Sequence, residues 1–245
     1  ISIEELNQIF ITRIKNNKKL NAFIYFNEEN IIEQSRKTDK LSNNLSLKGI
    51  PLAIKDLFCT KNMPTTAGSK ILSNFNPTYE SFVTQKLLDQ GSVFVGKANC
   101  DEFAMGSATT TSFFGNTINP VSPEGKQLVP GGSSGGSAVA LACGMVPIAT
   151  GSDTGGSLRT PASFCGVTSH RGTPGLVPSE RRTVGLTTYN VQGPMARTVS
   201  DTALMLSVMA GHRSYDPLSG PIDRRAFRDL SDVDLSRLRI AWSTD

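Results

Sequence analysis

Gly131-Gly132-Ser133-Ser134-Gly135-Gly136-Ser137, followed by Gly155-Gly156-Ser157, is the stretch on which the reading of this chain turns. The two Gly-Gly-Ser turns flank a small-residue segment, Ala138 to Gly144, whose composition predicts a short helix. Paired glycines let a backbone approach a ligand closely and adopt angles that other residues resist. A serine directly after such a pair is held out on a tight turn among free backbone N–H groups, which suits a nucleophile beside an oxyanion hole. A phosphate cradle competes, because glycine-rich loops ahead of helices also bind anions. No Gly-Lys-Ser/Thr ending follows, however, and no G-x-G-x-x-G lies between a strand and a helix. A plain Gly/Ser linker would leave the helix and the run Met145-Val146-Pro147-Ile148-Ala149 without a purpose. Serine catalysis is the favoured reading of these residues.

Downstream, Thr198–Gly211 carries Val199, Ala203, Leu204, Leu206, Val208 and Met209 at helical spacing, with Asp201 near the start and Gly211 as the stop. Upstream, Gly49-Ile50-Pro51 leads into the apolar stretch Leu52-Ala53-Ile54, which ends at Lys55. Two readings of Lys55 stand side by side. It is a lysine at a strand end with its head in water, or a partly desolvated amine whose lowered pKa makes it a base. Phe82–Asp89 repeats with helical period, and Ser92–Gly96 reads as a buried strand. The neighbouring acids Asp101 and Glu102 read as a helix cap or surface charges rather than a catalytic dyad. Near the N-terminus, Ile3, Leu6, Phe10 and Ile14 predict a helix over residues 3–16, with Ser2 and Glu5 as a capping box. A second helix is expected over Glu28–Asp39. Strands alternating with helices give an α/β fold.

The chain has 245 residues, 38% of them hydrophobic, enough for a real core; charged residues are 19% and there are 22 glycines, which fits a loop-rich enzyme. A net charge of +4 without a dense basic patch gives no reason to expect nucleic-acid binding. Cys59, Cys100, Cys143 and Cys165 show no C-x-x-C spacing and read as reduced thiols of a cytoplasmic or organellar-matrix protein. With only His170 and His212 available, a zinc site or a histidine triad has few candidates, and neither metal nor cofactor is expected. No apolar run approaches the ~20 residues of a membrane span, so membrane binding is not expected. All 12 lysines lie at or before Lys126, while 11 of the 13 arginines follow it, a shift that would fit either a junction of two source sequences or differing local pressures. The chain stops just after Leu238-Arg239-Ile240-Ala241-Trp242, which reads as the start of a strand. That ending leads to the expectation of a core truncated on its C-terminal side and not competent alone.

Residues 131–166, through Gly151-Ser152-Asp153-Thr154-Gly155-Gly156-Ser157-Leu158-Arg159, resemble the amidase signature. Gly49–Asp56 ahead of it and Gly193–Thr198 behind extend the resemblance over most of the chain. It implies one amidase-signature domain over residues 1–245: a helical N-terminal segment at 1–45 and a partial catalytic core at 49–245, with a mixed β-sheet between helical layers. It further implies a Ser–cis-Ser–Lys triad, with Ser157 as nucleophile, Ser133 as the bridging serine with a cis peptide, and Lys55 as base. The backbone N–H groups of Thr154, Gly155, Gly156 and Ser157 would form the oxyanion hole.

Residues 49–165 are more similar to one branch, the A subunit of tRNA-dependent glutamyl/aspartyl amidotransferases, chiefly through Lys55–Phe58, Asp101–Ser107 and Gly151–Gly166. This implies glutamine as the amide substrate and partner B and C subunits that receive ammonia. Thr168-Ser169-His170-Arg171-Gly172-Thr173 departs from that branch's usual Gly-Leu-Lys-Pro-Thr run, and Gly185–Arg197 with Ile240–Ser243 look more like stand-alone amidases. The longer front part, richer in motifs, favours the amidotransferase branch; a stand-alone amidase for small amides is the alternative. An inactive amidase-like scaffold is the third reading, weighed down by the presence of Lys55, Ser133 and Ser157.

Overall fold

The structure is a computed structural model that describes residues 1–179 and 187–228, together with Asp234, Ser236, Arg239 and Ala241. Its centre is one six-stranded sheet. In chain order the strands are β1 (Phe23–Phe26), β2 (Pro51–Lys55), β3 (Val93–Ala98), β4 (Ile148–Asp153), β5 (Thr168–Ser169) and β6 (Val191–Ala196). Across the sheet the order is β1-β3-β2-β4-β6-β5. The inner strands β3, β2 and β4 run parallel, while β1, β6 and β5 pair antiparallel at the two sides.

Central parallel strands are covered on both faces and therefore read as continuous apolar runs. Every residue of β2 and β3 is buried. Alternation still sorts the two faces. Ala53, Val93, Val95, Ala149 and Met195 join the core beneath α1 (Ile3–Asn16), α2 (Glu28–Asp39), α4 (Gly135–Ala142) and α5 (Arg159–Cys165). Leu52, Ile54, Phe94, Ile148 and Ala196 pack on the other side against α3 (Phe82–Asp89) and α6 (Val199–Met209). The result is a three-layer α/β/α arrangement.

The capping box of α1 is formed: the Glu5 N–H donates to Ser2 Oγ and the Ser2 N–H to the Glu5 carboxylate. The first 45 residues are not helical throughout, because Phe23-Ile24-Tyr25-Phe26, an aromatic and β-branched run, forms β1 against β3. The small-residue helix also begins earlier than expected, at Gly135 instead of Ala138. Its first N–H groups find acceptors outside the helix: Gly135 donates to Thr109 Oγ1 (3.1 Å) and Gly136 to the Asn99 carbonyl (3.0 Å). The four cysteines are unpaired. No described helix is long and apolar enough to cross a membrane. The strand expected at residues 238–242 falls chiefly outside the described residues, as does Gly185 at the head of the segment likened to stand-alone amidases.

Candidate active site

Neighbouring parallel strands deliver their C-terminal ends to the same edge of a sheet, where ligands of open α/β folds bind. β2 and β4 are such neighbours. β2 ends in Lys55 and β4 ends in Ser152-Asp153, so the amine and the turn that leads to Ser157 emerge side by side. The Ser133 turn, which opens α4, closes over this edge.

Lys55 is fully buried, so the strand-end reading with its head in water does not hold. Its Nζ donates to Ser133 Oγ at 2.8 Å, Ser134 Oγ at 2.9 Å and Ser152 Oγ at 2.9 Å. Its backbone N–H donates to Thr150 Oγ1 at 2.8 Å, which fixes the end of the strand. Burial pulls the Lys55 ammonium down to about 8, against the opposing pull of the Asp101 and Asp153 carboxylates. The Gly132–Ser133 peptide bond is cis.

Ser157 sits on the turn after β4, which is organised by the buried Asp153 carboxylate. Asp153 accepts from the Gly156 N–H (2.8 Å) and the Leu158 N–H (3.1 Å), and from the guanidinium groups of Arg159 (3.0 Å) and Arg171 (2.9 Å). Burial works to raise its carboxyl, but Arg159 and the two N–H groups outweigh that and bring it down to about 2. Gly156 has φ of 128°, a region open to glycine and closed to most side chains. Of the four N–H groups expected at an oxyanion hole, that of Gly156 is directed to Asp153, while those of Thr154, Gly155 and Ser157 have no partner among the described residues.

A cleft of about 460 Å³ opens here, lined by Leu57, Phe103, Met105, Gly132, Ser157 and Asn190, among others. Ser157 and the Ser133 turn thus share one cleft, although Ser157 Oγ makes no hydrogen bond among the described residues. The arrangement offers a buried amine of lowered basicity, a serine bonded to it, a second serine at the cleft wall and unused N–H donors nearby. These are the parts of an acyl-transfer site.

Sequence reasoning missed Ser134 and Ser152 as partners of Lys55. A signal was present, since Thr150 and Ser152 alternate as hydroxyls in the small-residue stretch Ala149-Thr150-Gly151-Ser152 of β4. Asp101 differs from expectation. It is neither a surface charge nor a side-chain cap of the short 3₁₀ turn at Glu102–Ala104. Its buried carboxylate accepts from the N–H groups of Thr109, Thr110 and Thr111, because the polar loop at 109–111 folds back over it. Glu102 is half-buried at the start of that turn. A second buried amine, Lys97 on β3, was also missed. It lies 3.6 Å from Asp56 Oδ1 and donates to the Phe58 carbonyl (2.6 Å) and Thr65 Oγ1 (2.6 Å). No cluster of three or more His, Cys, Asp or Glu among the described residues is arranged to hold a metal ion.

The family model described as Amidase matches residues 5–245. The chain is 45% identical over 228 residues to the A subunit of glutamyl-tRNA(Gln) amidotransferase from Pelagibacter ubique, covering 93% of this chain and 46% of that protein. To the protein of the same name from Zymomonas mobilis it is 48% identical, covering 88% and 44%. Among solved structures, the A subunit of glutamyl-tRNA(Gln) amidotransferase from Thermotoga maritima superposes with a TM-score of 0.76 at 39% identity, over 90% of this chain and 46% of that one. A bacterial aryl acylamidase of the amidase signature family superposes with a TM-score of 0.83 at 30% identity, over 91% and 47%. The chain thus spans just under half the length of the curated relatives it matches.

Proposed function

This chain belongs to the amidase family, and on that premise we propose that it hydrolyses a carboxamide C–N bond with Ser157 as nucleophile, Ser133 as bridge and Lys55 as base. The observation that carries the reading is the fully buried Lys55 amine bonded to Ser133 Oγ at 2.8 Å, beside the cleft that Ser157 lines. Neutral Lys55 takes a proton from Ser133 as Ser133 takes one from Ser157, whose Oγ attacks the amide carbon. The N–H groups of Thr154, Gly155 and Ser157 receive the developing oxyanion. The Gly156 N–H, committed to Asp153, holds the turn in place. The same relay returns a proton to the departing amine or ammonia, and water then releases the acyl group.

On this reading the amide is glutamine, and the ammonia passes to a partner protein of the same complex. The support is the 45–48% identity to curated amidotransferase A subunits and, among solved structures, 39% to the A subunit against 30% to the aryl acylamidase. The stand-alone reading is favoured by His170-Arg171-Gly172, where the chain departs from the amidotransferase pattern. Ammonia release from glutamine, measured beside a panel of aliphatic and aryl amides, tests both. Glutamine turnover lost in Ser157→Ala supports the proposal; turnover confined to simple amides transfers the chain to the other branch.

A further inference from the structure

Three carboxylates stand near Lys55, and they differ in their company. Asp153, at the end of β4, shares its charge with Arg159 and Arg171. Asp56, next in sequence to Lys55, faces Lys97 on β3. Asp101, on the segment after β3, has no ion-pair partner among the described residues, although it is completely buried. It is held by hydrogen bonds alone: from the N–H groups of Thr109 (2.9 Å), Thr110 (3.1 Å) and Thr111 (3.3 Å), and from Thr111 Oγ1 (3.0 Å). Its position relative to the Ser133 turn is close. A Cβ built on Gly132 would overlap Asp101 Oδ2, so the carboxylate lies directly against the backbone that precedes Ser133. Thr109 completes the connection. Its Oγ1 donates to the Gly131 carbonyl at 2.9 Å and accepts from the Gly135 N–H at 3.1 Å, bracketing the turn on both sides of the cis bond.

We propose that Asp101 is a positioning residue for the Lys55–Ser133 pair, acting on the Ser133 turn through Thr109 and on Lys55 through its unshared negative charge. The inference rests on the catalytic reading above. One carboxylate does two things: it sets where Ser133 sits, and it favours the ammonium form of Lys55, opposing the effect of burial. The other groups facing Lys55 are Cys100, beside Asp101, and Asp153. Cys100 stays a neutral thiol at ordinary pH, because burial pushes it up to about 12.

The two actions separate by substitution. Asp101→Asn keeps the shape and removes the charge. Lys55 then loses its proton at lower pH, so the rising limb of the pH–rate profile moves down by about one pH unit. The amide NH₂ also meets an N–H donor of the 109–111 loop, and the plateau rate falls roughly tenfold as the turn shifts. Thr109→Val keeps the charge and removes the bracket, so the plateau falls without movement of the midpoint, and Thr109→Ser restores the rate. The measurement is the rate of fluorophosphonate labelling at Ser157 across pH, in which Ser157 Oγ displaces fluoride from phosphorus and its proton leaves through Ser133. Melting temperatures show that each variant is folded. No labelling of Ser157 in the parent protein would overturn the proposed function and this inference with it. Normal parental labelling with an unmoved midpoint in Asp101→Asn would overturn this inference alone, and a full-rate Thr109→Val would do the same should Asp101→Asn fail to fold.

Discussion

Lys55 and Lys97 lie on adjacent parallel strands, are both completely buried, and are both pulled down to about 8 by burial. Their immediate partners separate them. Around Lys55 Nζ stand three serine hydroxyls, and no described carboxylate bonds to it. Around Lys97 Nζ stand the Phe58 carbonyl, the hydroxyls of Thr60 and Thr65, and the carboxylate of Asp56. Asp56 in turn receives the Thr66 N–H and hydroxyl and the Gly68 N–H. One amine is set among hydroxyls alone; the other is tied to a loop by a carbonyl and a carboxylate as well. Burial makes an amine less basic, and only the partners decide whether that amine is a base or a tether.

Removing the proposed base is the sharpest way to test this contrast. Lys55→Ala is expected to lower amide turnover by about 10³-fold, the middle of the range of general-base effects, with little change in melting temperature. Lys55→Arg should not restore it, because a guanidinium keeps its proton. The mirror experiment at Lys97 should strike stability instead. Lys97→Ala leaves Asp56 buried without its partner and should cost about 3–5 kcal/mol in urea unfolding, while turnover per folded molecule stays near that of the parent. Lys97→Met combined with Asp56→Asn, which removes both charges and keeps an acceptor for the Thr66 and Gly68 N–H groups, should recover part of that loss. Should Lys97→Ala instead abolish turnover in folded protein, the two amines would not be distinct.

A smaller effect comes from pH. Turnover should rise toward alkaline pH and level off above about 8, as Lys55 becomes neutral. Smallest is the acid side, where Asp153 falls from 3.8 to about 2 on folding. A depressed carboxyl contributes stability that is complete above the unfolded value of 3.8 and is lost as pH drops through about 2. Arg159→Gln should shrink the difference between urea midpoints at pH 5 and pH 2.5, modestly, because Arg159 is 58% exposed.

The chain order of these elements was readable because α1 and α3 repeat with helical period and β2 and β3 are short apolar runs. β1 and β5, of four and two residues, are too short to show one. Lys55 and Lys97 each follow an apolar strand, Leu52-Ala53-Ile54 in one case and Val93-Phe94-Val95-Gly96 in the other. Local sequence offers no distinction between them, since it is fixed by residues far along the chain, Ser133 and Ser134 among them. The same holds for Asp101, which beside Glu102 reads as surface charge until a threonine loop folds over it. The Gly-Gly-Ser turns were legible because their chemistry is written in consecutive residues.

The hydroxyl surroundings of Lys55 bear on how that amine changes charge. An ammonium has three hydrogens and no lone pair, and three oxygens are in place to receive them. A neutral amine keeps two hydrogens and gains a lone pair, so one of the three contacts must reverse its direction. A carbonyl or carboxylate oxygen cannot reverse, but a hydroxyl does so by turning about its C–O bond. Ser133, Ser134 and Ser152 can therefore serve either charge state with every polar atom still satisfied and the backbone at rest. At Lys97 the Thr60 and Thr65 hydroxyls could turn in the same way, but the Phe58 carbonyl and the Asp56 carboxylate have no hydrogen to give in return. Discharge at Lys55 needs only a bond rotation.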